Sequence, residues 1–253
     1  MADLFESPER LIAWANKNIL YLKDKVDLFF KENPYEPFFE PDSKKPGWLV
    51  VKARLKKPLP DYLSETVADI LDNLRSALDQ TLYAIAALDG DVPAGSVYFP
   101  FSRDETTFLN TLNGRCTGRL KALHPLLIRL KPYNGGNETL WTLNTLRGKQ
   151  HAFLVPAVSI GYIHEVVWEL GGGNVTLPAY PVWDSTKNEI ELFTIGPQSR
   201  FKGNFKLAAH ITFGEVEGVA GKDVGYTLET FLELVKMIVN EIETESRRLG
   251  LIK

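Results

Sequence analysis

The chain has 253 residues, 44% hydrophobic and 24% charged, which is enough apolar content for a substantial core and excludes a chain dominated by disorder. Its formal net charge of −3 argues against a protein that lives on a nucleic-acid backbone, although it leaves room for a local basic patch. The single cysteine, Cys116, excludes an internal disulfide and a cysteine-based zinc site, and fits a reducing compartment.

Residues 7 to 30 begin with a helix signal: Ser7 as cap, Pro8 at the first helical position and Glu9 near the positive end. Leu11, Trp14, Ala15, Ile19, Leu22, Val26 and Phe29 make its apolar stripe. The proline-spaced NPYEPFFEPDSKKPG that follows reads as an extended loop. WLVVKARLKK, residues 48 to 57, alternates as a strand, with Leu49, Val51, Ala53 and Leu55 on one face and Lys52, Arg54 and Lys56 on the other. A solvated sheet face explains those bases better than a phosphate contact, because no aromatic platform is interleaved with them.

Residues 65 to 88 give the clearest helical period, through Val67, Ile70, Leu71, Leu74, Ala77, Leu78, Leu82 and Ile85. DGDVPAGS breaks it, SVYFPFS is a short apolar piece, and GRLKALHPLLIRLKPY suggests one helix or two short ones around Pro125. NGG precedes a further helix over 138–155. From about residue 160 the period changes to strands in GYIHEVVWEL, TLPAYPVW, NEIELFTIG and FKLAAHITFGEV. They are joined by GGG, DSTKN and PQSRFKGN. GGG lacks both the Walker lysine and the G-x-G-x-x-G spacing, so it reads as a turn. The chain closes with a helix over 226–249, striped by Leu228, Phe231, Leu232, Val235, Ile238, Val239 and Ile242, with Arg247 and Arg248 at its negative end and Gly250 as its stop.

This order predicts one α+β domain over 1–253: an N-terminal helical bundle-like part to about 158, a mainly antiparallel sheet over about 159–225, and the closing helix. No leader is visible in MADLFESPERLIAW, and no apolar run reaches the roughly 18 residues a bilayer span needs. A cytoplasmic, membrane-free protein is expected.

Polar groups interrupt the helix over 138–155. At about 100° per residue, Asn144, Arg147 and His151 share a sector with Leu140, flanked by Leu143 and Leu154, while Lys149 points away. On the earlier helix, Arg75 and Asp79 are i, i+4 neighbours beside Leu71, Leu74, Leu78 and Leu82. Buried charge needs a partner. The two helices are therefore expected to touch, with Asp79 beside Arg147 or His151 and all five polar residues in one cluster. A sealed cluster would be a structural network; one at the base of a cleft would be a binding site.

Several segments over about 65–155 resemble an uncharacterised bacterial protein family. Its signals are L-R-x-A-L-D-H, F-P-I, Q-P-Y, L-W-x-L and D-K-H-R. The counterparts here are Leu74-Arg75-Ser76-Ala77-Leu78-Asp79-Gln80, Phe99-Pro100-Phe101, Lys131-Pro132-Tyr133, Leu140-Trp141 and Lys149-Gln150-His151. Gln80 stands in place of the histidine, Gly148 in place of the aspartate, and Ala152 in place of the final arginine. The resemblance points to Arg75, Asp79 and the 144–151 segment and implies no reaction.

A broader likeness is to HEPN-type helical proteins, some of which resemble metal-independent ribonucleases with an R-x4-6-H motif. Arg119 and His124 fit that spacing, whereas Arg147 and His151 are one residue too close. An arginine that stabilises a phosphorane-like charge beside a histidine acid/base would suit RNA cleavage. Other chemistries lack their signals. His124, His151, His164 and His210 show no metal-ligand spacing, and there is no G-x-S-x-G elbow. His164 and Glu165 would point to opposite faces of a strand, and His210 belongs on a polar strand face. Arg115 and Arg119 could activate the Cys116 thiol, but an ordinary buried or helix-end cysteine is the simpler reading. Asp69, Asp72, Glu241, Glu243 and Glu245 read as solvated helix faces, and Trp168 and Trp183 as core.

The sequence thus predicts a binding module without cofactor or metal. Arg75, Asp79 and Asn144 form the binding site, between the 65–88 and 138–155 helices. The expected partner is a small ligand or a protein, with a homodimer over the terminal helices as one form of the latter. The alternative is a HEPN-like ribonuclease acting on RNA, with His151 and Arg147, or His124 and Arg119, as the catalytic pair.

Overall fold

A computed structural model describes residues 4–93, 95–147, 154–162, 166–170, 175–176, 183–184, 187–197, 199–203, 206–214 and 218–253. Among these, six α-helices and nine strands form an α+β protein with antiparallel strand pairing. Chain order is α1 (Glu6–Lys31), β1 (Tyr35–Pro41), β2 (Leu49–Leu55), α2 (Asp61–Ala86), α3 (Glu105–Arg115), α4 (His124–Leu130) and α5 (Glu138–Arg147), followed by the strands. These are β3 (Leu154–Tyr162), β4 (Val166–Leu170), β5 (Val175–Thr176), β6 (Trp183–Asp184), β7 (Glu189–Ile195), β8 (Ser199–Gly203) and β9 (Lys206–Phe213); α6 (Val224–Arg248) closes the chain.

The central rod is α2. Val67, Ile70, Leu71, Leu74, Leu78, Leu82 and Ile85 are sealed from solvent, as the 3.6-residue period requires. Helices α1, α5 and α6 pack around it. One continuous apolar core joins these helices to Ile211 and Phe213 of β9. Burying one such leucine contributes roughly 1.5–3 kcal/mol, so the α2 stripe is a large contributor to the stability of the helical part.

A second, smaller core sits under the sheet. Val51, Ala53 and Leu55 of β2 meet Ile190, Leu192, Phe193 and Ile195 of β7, with Phe29 and Tyr35 at one end. Phe30 and Leu59 pack against both cores. The ladder runs β1-β2-β7-β5, with β6 also on β7. Pairing steps from Val51↔Phe193 to Lys52↔Glu191, so Leu192 is an extra residue in the register. Such a bulge rotates neighbouring side chains, and here consecutive residues are buried on each side of it: Val50 with Val51, and Leu192 with Phe193.

Several sequence expectations change. Tyr35–Pro41, expected to be a loop, is an edge strand, where Pro37 and Pro41 need not donate to the ladder. Ser199–Gly203, expected to be a connection, pairs with β4. The helix α3 had no counterpart in the periodicity, yet Asp104 caps it by accepting from the Thr107 amide at 2.7 Å. Ser7 lies inside α1 and donates to Gln80 instead of capping. Trp14 is exposed and donates to Asp69. Leu49 is exposed at the strand edge. The helix carrying Asn144 extends to Arg147, and Leu154 begins β3, so Leu154 is not a helical neighbour of Asn144. Around Pro125 the chain forms a 3₁₀ turn, Gly118–Leu123, and then α4. His164, Glu165 and the glycines at 171–173 lie outside the described residues, as do the side chains of Trp168 and Trp183.

Candidate functional site

The two helices singled out by their polar residues do meet. Arg75 is 7% exposed, and burial lowers its pKa below the usual guanidinium value, with Asp79 acting against that shift. It forms a salt bridge with Asp79 one turn along α2. Its Nε donates to Asn144 Oδ1 of α5 at 3.2 Å. Its guanidinium carbon lies 4.3 Å from the centre of the Phe101 ring. Asp79 also accepts from the Phe99 amide at 2.7 Å. One ion pair therefore ties α2 to α5 and to the Phe99–Phe101 segment.

That segment is tied onward, because the Ser102 amide donates to the Pro132 carbonyl at 3.1 Å and the Phe108 and Tyr133 rings pack at 5.4 Å. The residues Leu74–Gln80, Phe99–Phe101 and Lys131–Tyr133, separate in sequence, thus belong to one hydrogen-bonded and packed assembly.

Arg147 departs from the expected cluster. Its Nε donates to Asp72 at 2.7 Å, not to Asp79, and the pair is about half exposed. The physical reason is reach. Asp72 sits about two turns before Asp79 on α2, and Asp79 is already occupied by Arg75 and the Phe99 amide. Arg147 still acts on Arg75, because its like charge adds to the lowering of the Arg75 pKa. His151 lies outside the described residues. The structure therefore brings Arg75, Asp79 and Asn144 together and places Arg147 at their rim. Sequence reasoning missed Asp72, the Phe99 amide and the Phe101 ring. Spacing alone could not have located the latter two, because they lie about 20 residues from Asp79 on a non-periodic segment.

The opposite side of α5 opens onto a cleft of about 540 Å³. Asn144 and Thr142 are two residues apart, hence about 160° apart around the helix. Thr139 and Thr142 form one wall, and Tyr226, Thr227, Thr230 and Phe231 of α6 form the other. Glu138, Val219 and Lys222 also line the cleft. The Thr227 and Thr230 hydroxyls donate to the carbonyls of Asp223 and Tyr226, which leaves their oxygens able to accept. Asp223 accepts the Tyr226 amide at 2.8 Å and so caps α6. Gly218, at φ +87°, comes so close to Thr142 that a Cβ would stand 2.7 Å from the Thr142 hydroxyl. The turn and α5 are therefore in direct contact at the cleft.

The second arginine–histidine pair is built into the scaffold. Arg119 Nε donates to Asp89 at 2.6 Å and its Nη1 to the Leu251 carbonyl at 2.9 Å, which ties the C-terminal end to the 3₁₀ turn. His124 Nε2 is 2.8 Å from the Cys116 carbonyl. Cys116 is buried, and burial raises its thiol pKa to about 11 despite Arg115, so it is not an activated thiol. The bases of β2 are likewise paired: Lys52 to Glu40 at 2.5 Å, and Arg54 Nε to the buried Glu189 at 2.8 Å. The acids of α6 pair with Arg129, Arg247 and Arg248. His210 is half-buried beside Lys23, Asp27 and Asp223 at a smaller cleft of about 260 Å³. Among the described residues, no group of three His, Cys, Asp or Glu side chains is placed to hold a metal ion, and no helix is long and apolar enough to cross a membrane. No protein-family model, curated protein or solved structure matches the chain.

Proposed function

We propose that the protein is a binding module. In this reading its ligand enters the cleft between α5 and α6, and the Arg75–Asp79–Asn144 network holds α5 from behind. The observation that carries the reading is the two-sided use of α5: Asn144 is anchored on Arg75 while Thr139 and Thr142 line the cleft. A charge pair that is 8% and 14% exposed at its side chains and already bonded to Asn144 and Phe99 has little capacity left for a ligand. The cleft has hydroxyl acceptors beside the apolar side chains of Val219 and Phe231, which suits a small neutral molecule carrying a ring and a hydrogen-bond donor.

The ribonuclease reading requires a free arginine and histidine facing one phosphate. Arg119 and Arg147 are each engaged by an aspartate, which favours binding over cleavage. The experiment is a backbone-amide NMR titration with phenol and benzamide, run beside an RNA-cleavage assay on the same sample. The binding reading expects shift changes confined to Thr139, Thr142 and the first turns of α6, abolished by Thr230→Trp, and no cleavage. Shifts elsewhere, or none, would remove the cleft. Cleavage lost in His151→Ala with an unchanged melt, or in His124→Ala at a temperature where that variant is still folded, would establish the nuclease instead.

A further inference from the structure

The outer face of α1 carries an apolar stripe that the fold leaves about half exposed. Trp14, Tyr21 and Leu28 are 49%, 47% and 45% exposed and follow one another at seven-residue intervals, so they lie along one edge of the helix. Their edge leans toward α2, where Trp14 donates to Asp69 at 3.2 Å and Tyr62 is also exposed. The buried stripe of Ile12, Ala15, Ile19 and Leu22 faces the other way, into the core. A helix of 26 residues is about 39 Å long, enough to form a continuous contact with a second helix.

We infer that this face pairs with the same face of a second copy of the chain, α1 against α1 in antiparallel fashion, with the two-fold axis passing near Tyr21. The charges commit the stripe to that occupant. A two-fold axis across antiparallel helices brings like flanks together and interchanges the residues on either side of the axis. Trp14 then meets the second copy's Leu28. On the flank away from α2, the exposed Lys17 stands about one turn before Tyr21 and the exposed Asp24 about one turn after it, so each base meets an acid. On the flank toward α2, Lys25 comes to the position of Asn18, whose amide donates to Asp69 at 2.5 Å. Asp69 accepts from Trp14, Asn18 and Asn73, all neutral donors, and no cation lies within ion-pair distance of it among the described residues. The second copy's Lys25 would supply that cation. Within one chain, Lys17 and Lys25 lie over the Trp14 and Tyr21 rings at 5.0 and 5.1 Å. The cations therefore already sit at the rim of the face, and the Lys25–Asp24 pair within one chain, at 3.8 Å, is exchanged on dimerisation for Lys25 with the second copy's Asp69 and Asp24 with its Lys17.

Sedimentation of the full chain over a concentration series reads the association directly. The wild type is expected to be a dimer that dissociates on dilution. Tyr21→Glu, which sets two like charges at the axis, should leave a monomer that melts where the wild type does once diluted to monomer. Lys17→Asp should weaken association about tenfold, and adding Asp24→Lys should restore it. Tyr21→Cys should cross-link under mild oxidation, since the other thiol, Cys116, is buried. A chain that stays monomeric at every concentration overturns the inference. So does a dimer indifferent to Tyr21→Glu, or one that the double charge exchange fails to restore.

Discussion

Arg75 stands over the Phe101 ring, its guanidinium carbon 4.3 Å from the ring centre, while its nitrogens reach Asp79 and Asn144. A planar cation can do both at once, stacking on one face and donating in its plane, and lysine cannot. The same residue thereby fixes a helix pair and the non-periodic segment beneath it.

That arrangement sets a sharp contrast between two arginines. Arg75→Met leaves Asp79 without its cation in a nearly closed site and should cost about 3–5 kcal/mol. Asp79→Asn keeps an acceptor for the Phe99 amide but strands the Arg75 charge, and should cost about as much. Combining the two should recover most of the loss, so a double-mutant cycle by chemical denaturation should show strong coupling. Arg147→Met breaks an exposed pair with Asp72 and should cost at most about 1 kcal/mol.

Cys116 should be silent to a thiol reagent at neutral pH. Burial raises its pKa to about 11, so the native thiolate is scarce, and labelling should appear only on unfolding or at strongly alkaline pH. The linkage has a defined sign. A raised native pKa means that the folded state holds the proton more tightly. This contribution to stability is complete below the ordinary thiol value of 9.0 and is lost as pH rises through about 11. Comparing alkaline melts of the wild type with Cys116→Ala should show a smaller decline for the variant.

His124→Ala should lower stability by about 1 kcal/mol through loss of its bond to the Cys116 carbonyl, without altering binding in the cleft. A thermal melt beside the phenol titration separates the two effects.

Thr142→Val should keep the volume of the cleft wall while removing a hydroxyl, and should weaken benzamide binding by about tenfold, measured by the same NMR titration. Gly218→Ala should interfere with binding too, since its Cβ would press on the Thr142 hydroxyl at a backbone angle that side chains rarely adopt.

The sequence announced the parts of the fold that depend on periodicity. The stripes of α2 and α6 emerged buried almost residue for residue because each is a long helix with one apolar side. The meeting of Arg75, Asp79 and Asn144 was legible for the same reason: polar residues beside a buried stripe have few places to go. The edge strand β1 was hidden by its prolines, which mark loops unless the strand lies at an edge. Helix α3 buries only Phe108 and Leu112 and has a weak apolar side, so only its cap at Asp104 could have revealed it. The cleft is formed by threonines from two helices and a glycine turn, and no spacing rule links such residues. Arg147 found Asp72 rather than Asp79 because occupancy by the Phe99 amide depends on a chain path that helical wheels do not contain.

The central claim is that α2 holds α5 through Arg75 and Asn144, and that this hold shapes the cleft on the other side of α5. Native-state amide exchange of Asn144→Leu tests it most directly. Faster exchange at Thr142, Leu143 and Leu146, unchanged exchange in β2 and β7, and weaker benzamide binding are expected. Unaltered protection of α5 with full ligand affinity would contradict the account.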